Sequence, residues 1–192
     1  MRMFVAAVPP EPVLEDLEEF LAVRRDVAPF RWTVPDQWHV TLAFLADVPD
    51  RAYDDLLERL SRAARKRHPM RATIAGGGAF PNVGRARVLW AGVELDDPVE
   101  LSRLATGCRA AASKAGIEVA GERFKPHLTL ARTRHPVEAT PWVRLLDAYR
   151  GPDFPITEIA LIASHLGEGP RKRPRYEVLE TFGLGGGRTP GV

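Results

Sequence analysis

Two four-residue segments, His39-Val40-Thr41-Leu42 and His127-Leu128-Thr129-Leu130, repeat one pattern close to half the chain apart. Each alternates polar and apolar residues, the period of a strand. In a strand, residues i and i+2 share a face. The His and Thr of each copy therefore project together, while Val40 and Leu42, or Leu128 and Leu130, enter the core. Brought face to face, two such strands offer two imidazoles and two hydroxyls to one small ligand, which suits acid–base chemistry on a phosphate. A lone His-x-Thr reads as well as a half-buried histidine satisfied by its neighbour. Two among five histidines, both in strand context, favour function.

The elements that must position these residues alternate along the chain without a long linker. A strand at Arg2–Val8 leads into a helix carrying Leu14, Leu17 and Leu21, with Glu11, Glu15, Glu18 and Glu19 early, where the helix dipole favours acids. Phe30–Val34 and Val40–Leu45 read as strands. Asp50 is the expected cap of a helix burying Tyr53, Leu56, Leu57, Leu60 and Ala64. Ala72–Ala75 and Ala86–Leu95 read as strands separated by the turn-rich Gly76-Gly77-Gly78 and Pro81-Asn82-Val83-Gly84. Asp97-Pro98 opens a helix that buries Leu101, Leu104, Ala105, Cys108 and Ala112 and stops at Gly116. Strands come next at Ile117–Ala120 and at the second His/Thr motif, then a short helix near Trp142–Tyr149. Further strands lie at Glu158–Leu166 and Tyr176–Phe182. Residues 185–192 read as a flexible tail.

The expected fold is therefore α+β: a duplicated, bilobal domain over residues 1–184. Two mainly antiparallel sheets face each other across a central cleft, with helices on the outer faces. The plan strand, helix, His/Thr strand, helix recurs in both halves and suggests duplication.

The chain has 192 residues, 45% hydrophobic and 27% charged, ordinary for one sizeable globular core. No apolar run reaches the length of a membrane span. The apolar N-terminus is short, runs into Pro9-Pro10 and reads as a first strand, so the expected location is the cytoplasm. A single cysteine, Cys108, excludes an intramolecular disulfide and a Cys-based zinc cage. It falls on the apolar stripe of its helix, where a buried hydrophobe is expected. There is no His-Glu-x-x-His motif or Asp-rich cage, and no metal or cofactor is expected. Net charge is +2, with Arg far ahead of Lys. Arg suits bidentate phosphate contacts, although base composition also drives such a bias.

The surroundings of the motifs carry a resemblance. Phe30-Arg31-Trp32-Thr33-Val34-Pro35-Asp36-Gln37-Trp38-His39-Val40-Thr41-Leu42-Ala43-Phe44-Leu45 resembles the first signature of the bacterial and archaeal RNA 2′,3′-cyclic phosphodiesterases. These are also called 2′–5′ RNA ligases and belong to the two-histidine (2H) phosphoesterase superfamily. Phe124-Lys125-Pro126-His127-Leu128-Thr129-Leu130-Ala131-Arg132 resembles the second. The likeness extends to Phe4-Val5-Ala6, to Phe80-Pro81 followed by Arg87-Val88-Leu89-Trp90, and to Ser164-His165-Leu166 with Tyr176-Glu177-Val178-Leu179. Ala46-Asp47 departs from the Gly usual after the Phe-Leu pair, which affects a turn.

The resemblance implies metal-independent hydrolysis of RNA 2′,3′-cyclic phosphate ends to 2′-phosphomonoesters, with 2′–5′ ligation as its reverse. It implies His39 as general acid on the 3′-oxygen and His127 as general base on water, with Thr41 and Thr129 donating to the phosphate oxygens. Pseudo-symmetry leaves the opposite acid/base assignment open. Arg132, five residues after His127, reaches the site only through a bulge or the strand end. The resemblance favours a substrate role for it over a rim salt bridge. Arg31 and Lys125 either add positive potential at the cleft or are solvated. Trp38 and Tyr176 are candidates to stack on a base, and Phe4 reads as core. The tip Arg171-Lys172-Arg173-Pro174-Arg175 either grips an RNA backbone or is solvated. His68, His135 and His165 read as surface or structural.

The expected partners are RNA ends or small cyclic nucleotides, with no membrane and no obligatory protein partner; a monomer is the simplest state. Two alternatives remain open. One is a cyclic phosphodiesterase acting on ADP-ribose or other small nucleotides. The other is a non-catalytic RNA-end binding module, which has no need of two titrating groups.

Overall fold

The computed structural model describes residues 1–27, 30–121 and 123–186. Its thirteen principal elements are, in order, β1 (Met3–Ala7), α1 (Glu11–Ala22), β2 (Arg31–Trp32), β3 (Val40–Leu45), α2 (Asp50–Arg65), β4 (Met70–Phe80), β5 (Ala86–Leu95), α3 (Pro98–Lys114), β6 (His127–Val137), α4 (Thr140–Asp147), β7 (Arg150–Ile156), β8 (Glu158–His165) and β9 (Arg175–Gly183). Four strands form one sheet in the order β3-β1-β8-β9, and five form a second in the order β2-β6-β5-β4-β7. Every ladder is antiparallel. The α+β, two-sheet architecture expected from the sequence is the one observed.

Each lobe draws on both halves of the chain. The first sheet takes β1 and β3 from the N-terminal half and β8 and β9 from the C-terminal end. Helices α2 and α3 cover this sheet through β9 and β3, while α1 and α4 lie against β7 and β4 of the second. Strands β3 and β6, which carry the two motifs, make the contact between sheets. Buried residues from both lobes form one continuous apolar cluster, including Val5, Leu45, Leu56, Leu104, Leu128 and Phe154.

Local chemistry explains most boundaries. The Asp97 side chain accepts from the Glu100 backbone N–H at 3.0 Å, capping α3 as expected. Gly116 comes just after the helix with φ 79°, a left-handed value that glycine adopts freely. Asp50 begins α2, but its side chain makes no capping bond; Pro49 precedes it. That helix buries Ala52, Leu56, Leu60 and Ala64, with Tyr53 and Leu57 at the edge of the core.

Several expected boundaries are corrected. Gly76-Gly77-Gly78 is not a turn; β4 runs through it with a register shift between Ile74 and Gly77. The bare backbone is needed there, because a Cβ on Gly78 would enter the Trp90 ring and one on Gly77 would lie 2.5 Å from Leu146. Ile117–Ala120 forms no strand, only a single bridge from Val119 to Leu45. The Phe30–Val34 strand shortens to Arg31–Trp32. Strand β7 was not expected, since Pro152 and Pro155 lie within it; prolines are tolerated there because it is a sheet edge. Gly185 belongs to a short 3-10 turn, Leu184–Gly186, and the rest of the expected tail lies outside the described residues.

Candidate active site

His39 immediately precedes β3 and His127 opens β6. Thr41 and Thr129 come two residues later on the same faces, and all four side chains are half-buried. Beyond each Thr, alternation breaks in the same way. Against β1, Ala43 pairs with Val5 and Thr41 with Ala6, so Leu42 is extra. Against β5, Ala131 pairs with Leu89 and Thr129 with Trp90, so Leu130 is extra. Each bulge buries two successive residues and reverses the facing of the residues after it. Phe44 and Arg132, each five residues after its histidine, thereby return to the cleft side. The bulge that Arg132 required is present, and the first lobe carries its counterpart.

The two rings are held alike. His127 Nδ1 donates to the Lys125 carbonyl oxygen at 2.6 Å, which leaves Nε2 for a ligand. His39 is hydrogen-bonded to the backbone of Gln37, again two residues upstream. Phe4 stacks on His39 with centroids 4.4 Å apart, and Tyr176 meets it edge-on at 5.5 Å. Phe80 meets His127 edge-on at 5.0 Å, and Trp90 lies at 6.0 Å.

Both histidines and both threonines line one cleft of about 340 Å3 between the lobes. Arg2, Arg31, Arg132, Lys172 and Arg173 also line it, and no carboxylate does among the described residues. Such a site concentrates positive potential and attracts anions. Burial pushes His39 down from 6.5 to about 4, with the nearby His127 adding to the fall and the Gln37 hydrogen bond opposing it. Burial also lowers His127, assisted by the charges of Arg132 and Lys125 and opposed by the Lys125 carbonyl.

The sequence matches the family described as LigT-like phosphoesterase over residues 8–90 and 93–171. The chain belongs to the LigT-like phosphoesterase family. An RNA 2′,3′-cyclic phosphodiesterase of Thermus thermophilus is 37% identical over 97% of this chain and 91% of its own. Among solved structures, a protein of Thermus thermophilus superposes with a TM-score of 0.78 at 36% identity, covering 98% of this chain and 100% of that one. Escherichia coli LigT in complex with 3′-AMP superposes with a TM-score of 0.76 at 27% identity, over 95% and 97% of the two chains.

Within this LigT-like phosphoesterase, the expected binding residues fall in different places. Arg132 and Arg31 oppose each other across the β2–β6 ladder at the cleft, and Tyr176 lines it. Lys125 does not line the cleft; its ammonium sits over the Trp90 ring at 4.6 Å, and its carbonyl orients His127. Trp38 is not placed to stack on a base: it is 2% exposed, and its Nε1 donates to Thr33 Oγ1 at 2.7 Å. Phe4 is buried as expected, yet its ring also supports His39. His165 is structural, bonded to Glu177 at 2.8 Å.

Three contributors were not legible in the sequence. Arg2 lies over the Phe44 ring at 4.5 Å and lines the cleft. Phe44 belongs to the first signature, but its place at the cleft could not be read there because its facing depends on the bulge. Thr33 joins the lobes: its Oγ1 accepts from Trp38, beside His39, and donates to the carbonyls of Thr129 and Leu130 at 2.9 and 2.8 Å. This relay ties the position of one motif to that of the other. Its only sequence signal is a polar residue two before Pro35.

Among the described residues, one cluster has metal-ligand spacing: His68, Asp97 and Glu100. It lies outside the cleft lining, and Glu100 is already engaged by the His68 N–H at 3.1 Å and by Arg67 at 3.5 Å. Cys108 is fully buried, and burial pushes its thiol up to about 12, which suits packing and not nucleophilic attack.

Proposed function

We propose that the chain hydrolyses RNA 2′,3′-cyclic phosphate ends to 2′-phosphomonoesters by paired-histidine acid–base catalysis, as a monomer of one folded unit. The observation that carries this reading is the convergence of His39, Thr41, His127 and Thr129 on one cation-lined cleft. The relatives' names and the 3′-AMP complex of a family member point to the same substrate class.

In this mechanism the cyclic diester sits between the two imidazoles. His127 takes a proton from water as its oxygen bonds to phosphorus. The bond from phosphorus to the 3′-oxygen breaks, and His39 delivers its proton to that oxygen. The product carries a 2′-phosphate and a free 3′-hydroxyl, and solvent returns the proton pair to its starting state. Thr41 and Thr129 donate to the non-bridging oxygens as charge grows there. Arg132, Arg31 and Arg2 hold the anion, and Tyr176 flanks the ribose or base. None of these steps needs a metal. With an RNA 5′-hydroxyl replacing water as the attacking group, the same steps join ends through a 2′–5′ bond, and their reverse cleaves that bond to regenerate the cyclic phosphate.

The test is turnover of 2′,3′-cyclic AMP in the presence of EDTA, with product identified as 2′-AMP. Undiminished turnover is expected. Loss with chelator would refute the metal-free mechanism, and binding without turnover would leave a binding module. Faster turnover of ADP-ribose cyclic phosphate than of an RNA end would move the substrate class to small nucleotides.

Removing either hydroxyl should cost less than removing a ring. Thr41→Ala and Thr129→Ala each delete one donor to the phosphate, and kcat should fall roughly ten- to a thousand-fold. Unchanged kcat in both would make the hydroxyls structural.

The lowered histidines also set the pH dependence. Chemistry needs one proton on the pair. In the free protein that form is lost as pH rises through the His127 pKa, which lies below 6.5, and gives way to the doubly protonated form towards about 4. Since kcat/KM reports the free enzyme, its optimum should lie on the acid side of about 6.5. A bound phosphate anion favours the protonated ring, so the basic limb of kcat should lie at higher pH. Coincident basic limbs for kcat and kcat/KM would contradict this.

A further inference from the structure

A second concavity, about 840 Å3, lies apart from the cleft in a groove between α2 and α3. These helices turn Leu56, Leu60, Leu101 and Leu104 inward. The groove lies on their other faces, so the helix layer and the first sheet separate it from the histidines. Six cations line it: Arg59, Arg62, Lys66 and Arg67 from the α2 side, and Arg103 and Lys114 from α3. No carboxylate lines it among the described residues. Together with the five cations of the cleft, this more than accounts for the net charge of +2.

Half of this charge is already paired. Arg59 meets Asp55 at 2.8 Å, Arg62 meets Glu58 at 3.4 Å, and Arg67 meets Glu100 at 3.5 Å. Lys66, Arg103 and Lys114 are exposed and have no ion pair among the described residues. The floor is made of small residues: a Cβ on Gly107 would lie 3.6 Å from that of Ala63. At the helical rise, Arg103 to Lys114 spans about 16 Å, room for several successive phosphates.

We propose that this groove binds the phosphate backbone of single-stranded RNA, away from the reacting end. The inference rests on the reading of the cleft as an RNA-end site and extends it to the body of the substrate. No aromatic side chain lines the groove for base stacking, so binding is independent of sequence and strongly salt-dependent. A protein partner fits less well, because the groove lacks the large apolar or aromatic anchors on which such interfaces depend. An RNA engaged at both places must pass around the lobe, across a sheet and a helix layer each about 10 Å thick. The groove therefore serves long substrates and leaves mononucleotides unaffected.

The test is the triple charge reversal K66E/R103E/K114E, at three exposed positions remote from the cleft. Fluorescence anisotropy would track a labelled RNA of about twenty nucleotides, ending in a 3′-hydroxyl. Affinity should fall at least about tenfold at low salt, and the slope of log K against log salt should flatten by about two. In parallel, kcat/KM should fall on the same RNA with a 2′,3′-cyclic end and stay unchanged on 2′,3′-cyclic AMP. Wild-type RNA affinity in the variant would overturn the proposal. So would weakened binding of poly-glutamate with RNA affinity retained, which would assign the groove to an acidic protein. If the wild type fails to turn over 2′,3′-cyclic AMP, the reading of the cleft falls, and anisotropy still decides the groove.

Discussion

Replacing either histidine by alanine should lower kcat on 2′,3′-cyclic AMP by about 10²- to 10⁴-fold, the range of a positioned acid or base. The two losses should not multiply. Once one proton-transfer group is gone the in-line mechanism is broken, so H39A/H127A should be little slower than the worse single variant. Folding should survive, since both rings are half-buried at the cleft wall and contribute little to the main apolar cluster. Circular dichroism separates the two effects: native spectra with lost turnover are expected. A native-like rate in either single variant would remove that histidine from the chemistry.

The second large effect separates acid from base. A cyclic ribose phosphate expels an alkoxide and needs a proton delivered to it. An aryl diester such as bis(4-nitrophenyl) phosphate expels a stable phenolate and needs none, while attack by water still needs a base. On the aryl substrate His39→Ala should therefore regain most of its about 10²- to 10⁴-fold deficit, and His127→Ala should not. The outcome matters because burial drives His39 to about 4 in the free protein, where its ring resists the proton that an acid must carry. For His39 to act as the acid, the bound phosphate must hold that proton on the ring. Rescue of His127→Ala alone would exchange the two roles.

Both experiments probe residues visible in the linear chain, because a strand's period of two is a local property. His-x-Thr between apolar residues stated which side chains share a face, and β3 and β6 obey that over His39–Thr41 and His127–Thr129. The apolar spacing of α2 and α3 and the Asp97 cap were legible for the same reason. The α+β class emerged from the order of those local signals.

The features beyond reach were set by contacts between distant segments. Gly76-Gly77-Gly78 reads as a turn until Trp90 and Leu146 are seen to need the space that missing side chains leave. Strand β7 exists because its prolines face an unpaired edge, a fact of sheet order. Arg132 and Phe44 face the cleft only because each strand bulges against its own partner. Trp38, a candidate to stack on a base by local reasoning, is buried and donates to Thr33, whose hydroxyl reaches the backbone of the opposite motif. The basic groove needs two helices from different parts of the chain laid side by side. The sequence alone thus determined which groups are candidates for the chemistry and which local face carries them, since propensity and periodicity act between near neighbours. Only the tertiary structure decided how the two motifs meet, which cations surround them and where the remaining positive charge gathers. Those depend on burial and register between residues far apart in the chain.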